Sequence, residues 1–193
     1  MPRLTTEWLM AHGACQNGMD AWLASPYAER GCCLADAVGI LDLGQGEHRS
    51  WLRWLYAHAA EGLPGDALCA LAASRARSVE HLWGDEYCAP CERAVALAEA
   101  AADGRSVSDA DVAEVSEAFQ FPSLYGRYPW AGWVAYCALR AIALLQDRES
   151  AQALYMTMDA ADYAAHCRAD PAQGWREAMA ELDGALARAE VPA

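Results

Sequence analysis

Residues 172–189 read AQGWREAMAELDGALARA, and Trp175, Met179, Leu182 and Leu186 recur there at i, i+4, i+7 and i+11. That period belongs to a helix with one apolar face, and no strand shows it. Working upstream, residues 130–146 (WAGWVAYCALRAIALLQ) are apolar nearly all round, the pattern of a central helix buried on every side. Residues 149–168 form the helix between the two. A chain that ends this way needs further helices to cover these faces.

The remaining segments supply them. Thr5 or Thr6 caps a short helix carrying Trp8 and Leu9, and Gly13 ends it. ACQNGMDAWLA (14–24) and RGCCLADAVGILDL (30–43) read as the next two. RSWLRWLYAHAAE (49–61) is predicted to start near Ser50 and stop at the GLPGD turn. Asp66 is predicted to cap a long helix toward Trp83. Pro90 suits the first turn of a helix that ends near Ala102, because the N–H it lacks would be orphaned there anyway. Ser108 caps another helix, striped by Val112, Val115 and Phe119. No alternating strand pattern occurs, and Asn17-Gly18 sits inside a helical period. The expected fold is all-α, a compact bundle of about eight to ten helices without a sheet, as one domain over residues 1–193.

Composition narrows the function. The chain has 193 residues and a net charge of −13, and all 14 of its basic residues are arginines. Such a balance repels nucleic acid and favours a basic partner. No apolar run precedes a cleavage site near the start, and residues 130–145 are too short and too interrupted by Arg140 to span a bilayer comfortably. The expectation is a cytoplasmic protein without a membrane segment, its eight cysteines serving as small buried hydrophobes.

EYCAPCER (86–93) tests that expectation. Thiolates at a helix start have lowered pKa values, and Cys88 and Cys91 in a Cys-x-x-Cys pair there suit redox cycling. The flanking sequence is helix and turn where a thioredoxin has a strand, and Glu80, Asp85, Glu86 and Glu92 oppose thiolate formation. A structural zinc site needs four ligands. His12 and Cys15 offer a second pair, with His81, Cys32, Cys33, His166 and Cys167 as spares, but none stands at a standard spacing. The pair is read as two thiols and a proline opening a helix, and no metal or cofactor is expected.

Tyr155, Asp159, Asp162 and His166 share one face of the 149–168 helix. Carboxylates and a histidine so placed suit a metal or a proton relay, and a solvated face with an Asp–His pair explains the same spacing. A small metal- or thiol-dependent enzyme using Cys88 and Cys91, or Asp159, Asp162 and His166, is therefore the alternative class.

Charge placement points elsewhere. Residues 80–117 hold ten carboxylates against Arg93 and Arg105, and so carry −8 of the net −13. Asp111, Glu114 and Glu117 face away from the apolar stripe of their helix. With Glu99, Asp103 and Asp109 they form the expected partner-binding face, and the alternative is a solvated face that keeps the protein soluble. The loop FQFPSLYGRYPWAGW (119–133) adds Tyr125, Arg127 and Tyr128, residue types that dominate binding hot spots, although a loop folded over the core wants the same aromatics.

LTTEWLMAHGACQNGMDAWLA (4–24) resembles the start of a group of uncharacterised bacterial and phage proteins. WLRWLYAHAAEGL (51–63) and VEHLWGDEYCAPCERAVALAEAAADGR (79–105) resemble alanine-rich helical proteins labelled as immunity proteins. In those, an acidic turn containing arginine and proline precedes the helix where this chain has Cys88 to Cys91. The resemblance covers about half the chain. It implies no catalytic residue and makes the Cys-x-x-Cys a local variation of a helix start. The resulting expectation is a non-enzymatic, acidic inhibitor of the immunity or phage anti-defence (anti-CRISPR-like) type, blocking a basic, nucleic-acid-binding surface of another protein.

Overall fold

Every regular element of the computed structural model, which describes residues 4–41, 46–83, 85–119 and 129–189, is helical, apart from one isolated antiparallel bridge between Leu4 and Cys32. The α-helices are α1 (Thr6–Ala11), α2 (Gln16–Leu23), α3 (Leu34–Ala37), α4 (Gly46–Ala60), α5 (Gly65–Arg77), α6 (Asp85–Ala102), α7 (Asp109–Ala118), α8 (Pro129–Gln146), α9 (Ser150–His166) and α10 (Pro171–Ala189). Short 3-10 turns follow α3 and α5. Among the described residues no helix is long and apolar enough to cross a membrane.

Two apolar clusters hold the helices together. The first gathers α1, α2, α3, α4 and α10 around Trp22, Leu52, Leu55, Trp175, Met179 and Leu182. The second gathers α6, α7 and α8 around Val95, Val115, Val134 and Leu139. Helices α5 and α9 face both: Leu68 and Ala161 belong to the first cluster, Ala72 and Ala164 to the second. The α10 stripe is buried at Trp175, Met179 and Leu182, which at about 2 kcal/mol each is a large share of a domain's net stability.

Caps act where the sequence places them at Thr5 and Ser108, whose hydroxyls accept from the Trp8 and Asp111 N–H groups at 3.1 Å. Asp66 does not cap α5: the helix starts at Gly65 with Pro64 as its N-cap, and Asp66 lies in its first turn. Other boundaries move too. Helix α4 begins at Gly46, ahead of Ser50. Helix α5 stops at Arg77, short of Trp83, where the Ser78 hydroxyl bonds the Arg75 carbonyl at 2.7 Å and draws it from the helical ladder. Helix α6 begins at Asp85, so Pro90 lies inside it, one turn later than predicted. Helix α3 is a single turn, and its N-terminus is closed from α10 by Asp183, whose carboxylate accepts from the Leu34 and Ala35 N–H groups at 3.3 and 3.4 Å.

Small residues set the spacing between helices. A Cβ on Gly174 of α10 would stand 2.6 Å from the Ala165 Cα of α9, so only glycine allows this approach. Gly174→Ala should therefore lower stability by about 1–3 kcal/mol through overpacking, against the ~1 kcal/mol that alanine gains in helix propensity. Urea denaturation reads the balance; a raised midpoint would mean that the contact has slack.

Candidate functional site

The acidic surface is built from α6 and α7. Val112, Val115 and Phe119 are buried, and Asp109, Asp111, Glu114 and Glu117 are exposed on the other side of α7. Glu92 of α6 and Asp103 just past its end are exposed, and Glu99 is half-buried. Folding brings in one cation that the charge count along the stretch omits. Arg77, at the end of α5, grips Glu99 with two bonds of 2.8 and 3.1 Å and reaches Glu80 and Glu92 at 3.3 and 3.4 Å. The hydrogen bonds to Arg77 hold the Glu99 carboxyl below its usual range. Arg93 forks onto Glu114 at 2.7 and 3.1 Å, and Arg105 meets Asp103 at 3.0 Å. Among the described residues Asp109 and Glu117 form no ion pair, whereas Asp111 accepts from the Ser108 hydroxyl and, after Glu114, adds to the field that holds the proton on Arg93. Tyr125, Arg127 and Tyr128 lie outside the described residues.

Asp159, Asp162 and His166 come together, though neither as a metal site nor as a solvated face. Asp162 has no exposed surface and is closed on by α4. Arg49 binds both its oxygens at 2.9 and 2.6 Å, and Arg53 adds a bond of 2.7 Å. Arg53 also reaches Asp159 at 2.6 Å. His166 places Nδ1 2.8 Å from the Asp162 carbonyl and 3.4 Å from its carboxylate. Burial pushes the Asp159 carboxyl up, and Arg53 opposes that shift. The carboxylate lone pairs are spent on guanidinium, so the arrangement is an ionic clamp between α4 and α9. No group of three or more metal-ligating side chains occurs among the described residues. Tyr155 is 55% exposed and lines the same hollow as Arg53. The legible signal was the match of two arginines one turn apart on α4 with two aspartates at similar spacing on α9.

The Cys-x-x-Cys pair is split by the helix that carries it. Cys88 is exposed, Cys91 is wholly buried, and both are free thiols. Burial pushes the Cys91 thiol up to about 12, which removes the thiolate that redox or metal chemistry needs. The pair therefore does not open a helix, as the sequence suggested; it lies within one.

Sequence reasoning missed the outer face of α4. Trp8 stacks on His12 at 3.9 Å, His12 lies 5.7 Å from His58, and His58 lies 4.8 Å from Trp54. Trp54 is a ridge between two hollows. One, of about 760 Å³, runs between α4 and α9 past His58 and Tyr155. The other, of about 430 Å³, runs between α2 and α4 past Cys15, Gly18 and Trp51. The repeat Trp51, Trp54, His58 follows a helical period, and periodicity alone does not tell a lined groove from a core stripe.

Comparison of the chain with protein-family models, with curated proteins and with solved structures finds no match in any of the three.

Removing both arginines of the clamp should cost more than removing the aspartate. Arg49→Met with Arg53→Met strands a buried charge and should cost about 3–5 kcal/mol. Asp162→Ala leaves two guanidinia that are already about a third exposed and can rehydrate, so its loss should be smaller. Chemical denaturation of the two variants gives the order, and the reverse order would refute the clamp.

The thiols predict a pH dependence. Folded Cys32 and Cys91 keep their protons up to about 12, whereas an unfolded thiol loses its proton near ~8.5. Their contribution is thus full below ~8.5 and falls as pH rises toward 12. Melting temperature should drop on the alkaline side, less steeply in Cys91→Ala. In native protein Cys15 and Cys88 should react first with a disulfide reagent, and fast modification of Cys91 would contradict its burial.

Proposed function

We propose that this chain is a non-enzymatic, protein-binding inhibitor of the immunity or phage anti-defence type, whose α6–α7 face covers a basic, nucleic-acid-binding surface of its partner. One observation carries the reading: α7 buries Val112, Val115 and Phe119 while presenting Asp109, Asp111, Glu114 and Glu117 to solvent, against a single arginine, Arg93, that faces Glu114 and Asp111 among the described residues. A row of carboxylates that outnumber their cations, on a helix anchored from behind, is a rigid negative surface. Such a surface steers a cationic partner over about a Debye length, ~8 Å at physiological salt. The paired carboxylates fit the same role. Arg93 and Arg105 are exposed, and an incoming guanidinium or ammonium can exchange for them.

Replacing Asp111, Glu114 and Glu117 by Ser should leave helix content unchanged. The same change should slow association with the partner about tenfold or more at low salt. Stopped-flow association measured against salt concentration is the test. Wild-type rates in the triple variant would reduce the face to a solubility device.

A further inference from the structure

His12 is the C-cap of α1, and His58 stands in the last turn of α4. Folding sets their rings side by side, with centres 5.7 Å apart and planes at 64°. Two imidazoles on one metal ion, with metal–nitrogen bonds of about 2.0 Å, have ring centres roughly 5–6 Å apart. The hydrogen bonds behind the rings fit the same arrangement. His12 Nδ1 lies 2.8 Å from the Trp8 carbonyl oxygen, which can only accept. Nδ1 therefore carries the hydrogen, and Nε2 of the neutral ring keeps its lone pair. His58 Nδ1 faces the Glu61 carboxylate at 3.6 Å, which favours the same tautomer. A backbone carbonyl and a carboxylate behind Nδ1 are the outer partners that orient metal-binding histidines. Trp8, stacked on His12 at 3.9 Å, and Trp54, 4.8 Å from His58, flank the pair. Arg53, which shares a hollow with His58, is neutralised by Asp159 and Asp162, and the chain's net charge of −13 favours cations.

We propose that His12 and His58 chelate one divalent transition-metal ion through their Nε2 atoms. Imidazole nitrogen selects for copper, nickel or zinc over magnesium and calcium, which take oxygen. Among the described residues no third ligating side chain joins the pair, so the ion keeps its other positions open to water or to an incoming donor. Bound there, it ties α1 to α4. The sequence offered His12 together with Cys15; the fold pairs it with a histidine from a distant helix instead. The site stands apart from the α6–α7 face and does not depend on the function proposed for that face.

Nickel is the probe, because it does not oxidise thiols, and Cys15→Ser with Cys88→Ser removes the exposed ones. Titrating that protein with Ni2+ should broaden the ring-proton NMR signals of His12 and His58 together, ahead of His81 and His166, and saturate at one ion per chain. His12→Ala and His58→Ala should each weaken binding about tenfold or more, and the double variant should lose no more than either single one, as a coupled pair requires. Ni2+ should raise the melting temperature of the parent and of neither single variant, whereas Mg2+ should leave it unchanged. Should an alanine variant fail to fold, glutamine at the same position decides. Weakening by only one of the two substitutions, broadening centred on His81 or His166, or a melting temperature that Ni2+ does not move would each overturn the proposal.

Discussion

Asp162 has no contact with solvent, and two arginines from another helix close on it. A buried carboxylate is tolerable only with full compensation, so this side chain dictates where α4 lies against α9. Arginine suits the task because its planar fork meets both oxygens at once. Much else follows from that contact. Helix α9 contributes to both apolar clusters, and α4 reaches α9 through the clamp. Arg53 of the clamp also lines the hollow past His58 and Tyr155.

The two surfaces of interest belong to different halves of the helix assembly. The acidic face stands on α6 and α7, over the cluster of Val115, Val134 and Leu139. The aromatic face stands on α1, α2 and α4, over the cluster of Trp22, Leu52 and Trp175. They differ in what they can recognise. Exposed carboxylates act through a field that salt screens, whereas the aromatic face carries a hollow lined by Trp51 and Trp54. Arginines set the strength of the first: Arg77, Arg93 and Arg105 neutralise part of the field and leave α7 the less compensated helix.

Helix type, helix order and the buried faces were legible in the amino-acid sequence, since a period of 3.6 and a missing alternation are local properties. The stripes of α7 and α10, the all-round apolarity of α8 and the caps at Thr5 and Ser108 are properties of that kind. Boundaries near Ser50, Trp83 and Pro90 were less legible, because a helix stops where side-chain bonds compete with its ladder. The exposure of Asp111, Glu114 and Glu117 could be read from the sequence, since it is the complement of a buried stripe.

Only the tertiary structure decided which charges are free and which thiols can ionise. Arg77 lies outside the acidic stretch and still neutralises part of it, and Arg49 and Arg53 lie more than a hundred residues from the aspartate they bind. Cys88 and Cys91 are alike in sequence; one faces water and the other the core, where the cost of burying a charge keeps its proton on. The grooves on either side of Trp54 also belong to packing alone, since each is walled by helices distant along the chain. Periodicity is a property of neighbours in sequence, whereas ionisation, pairing and concavity depend on what folding places alongside.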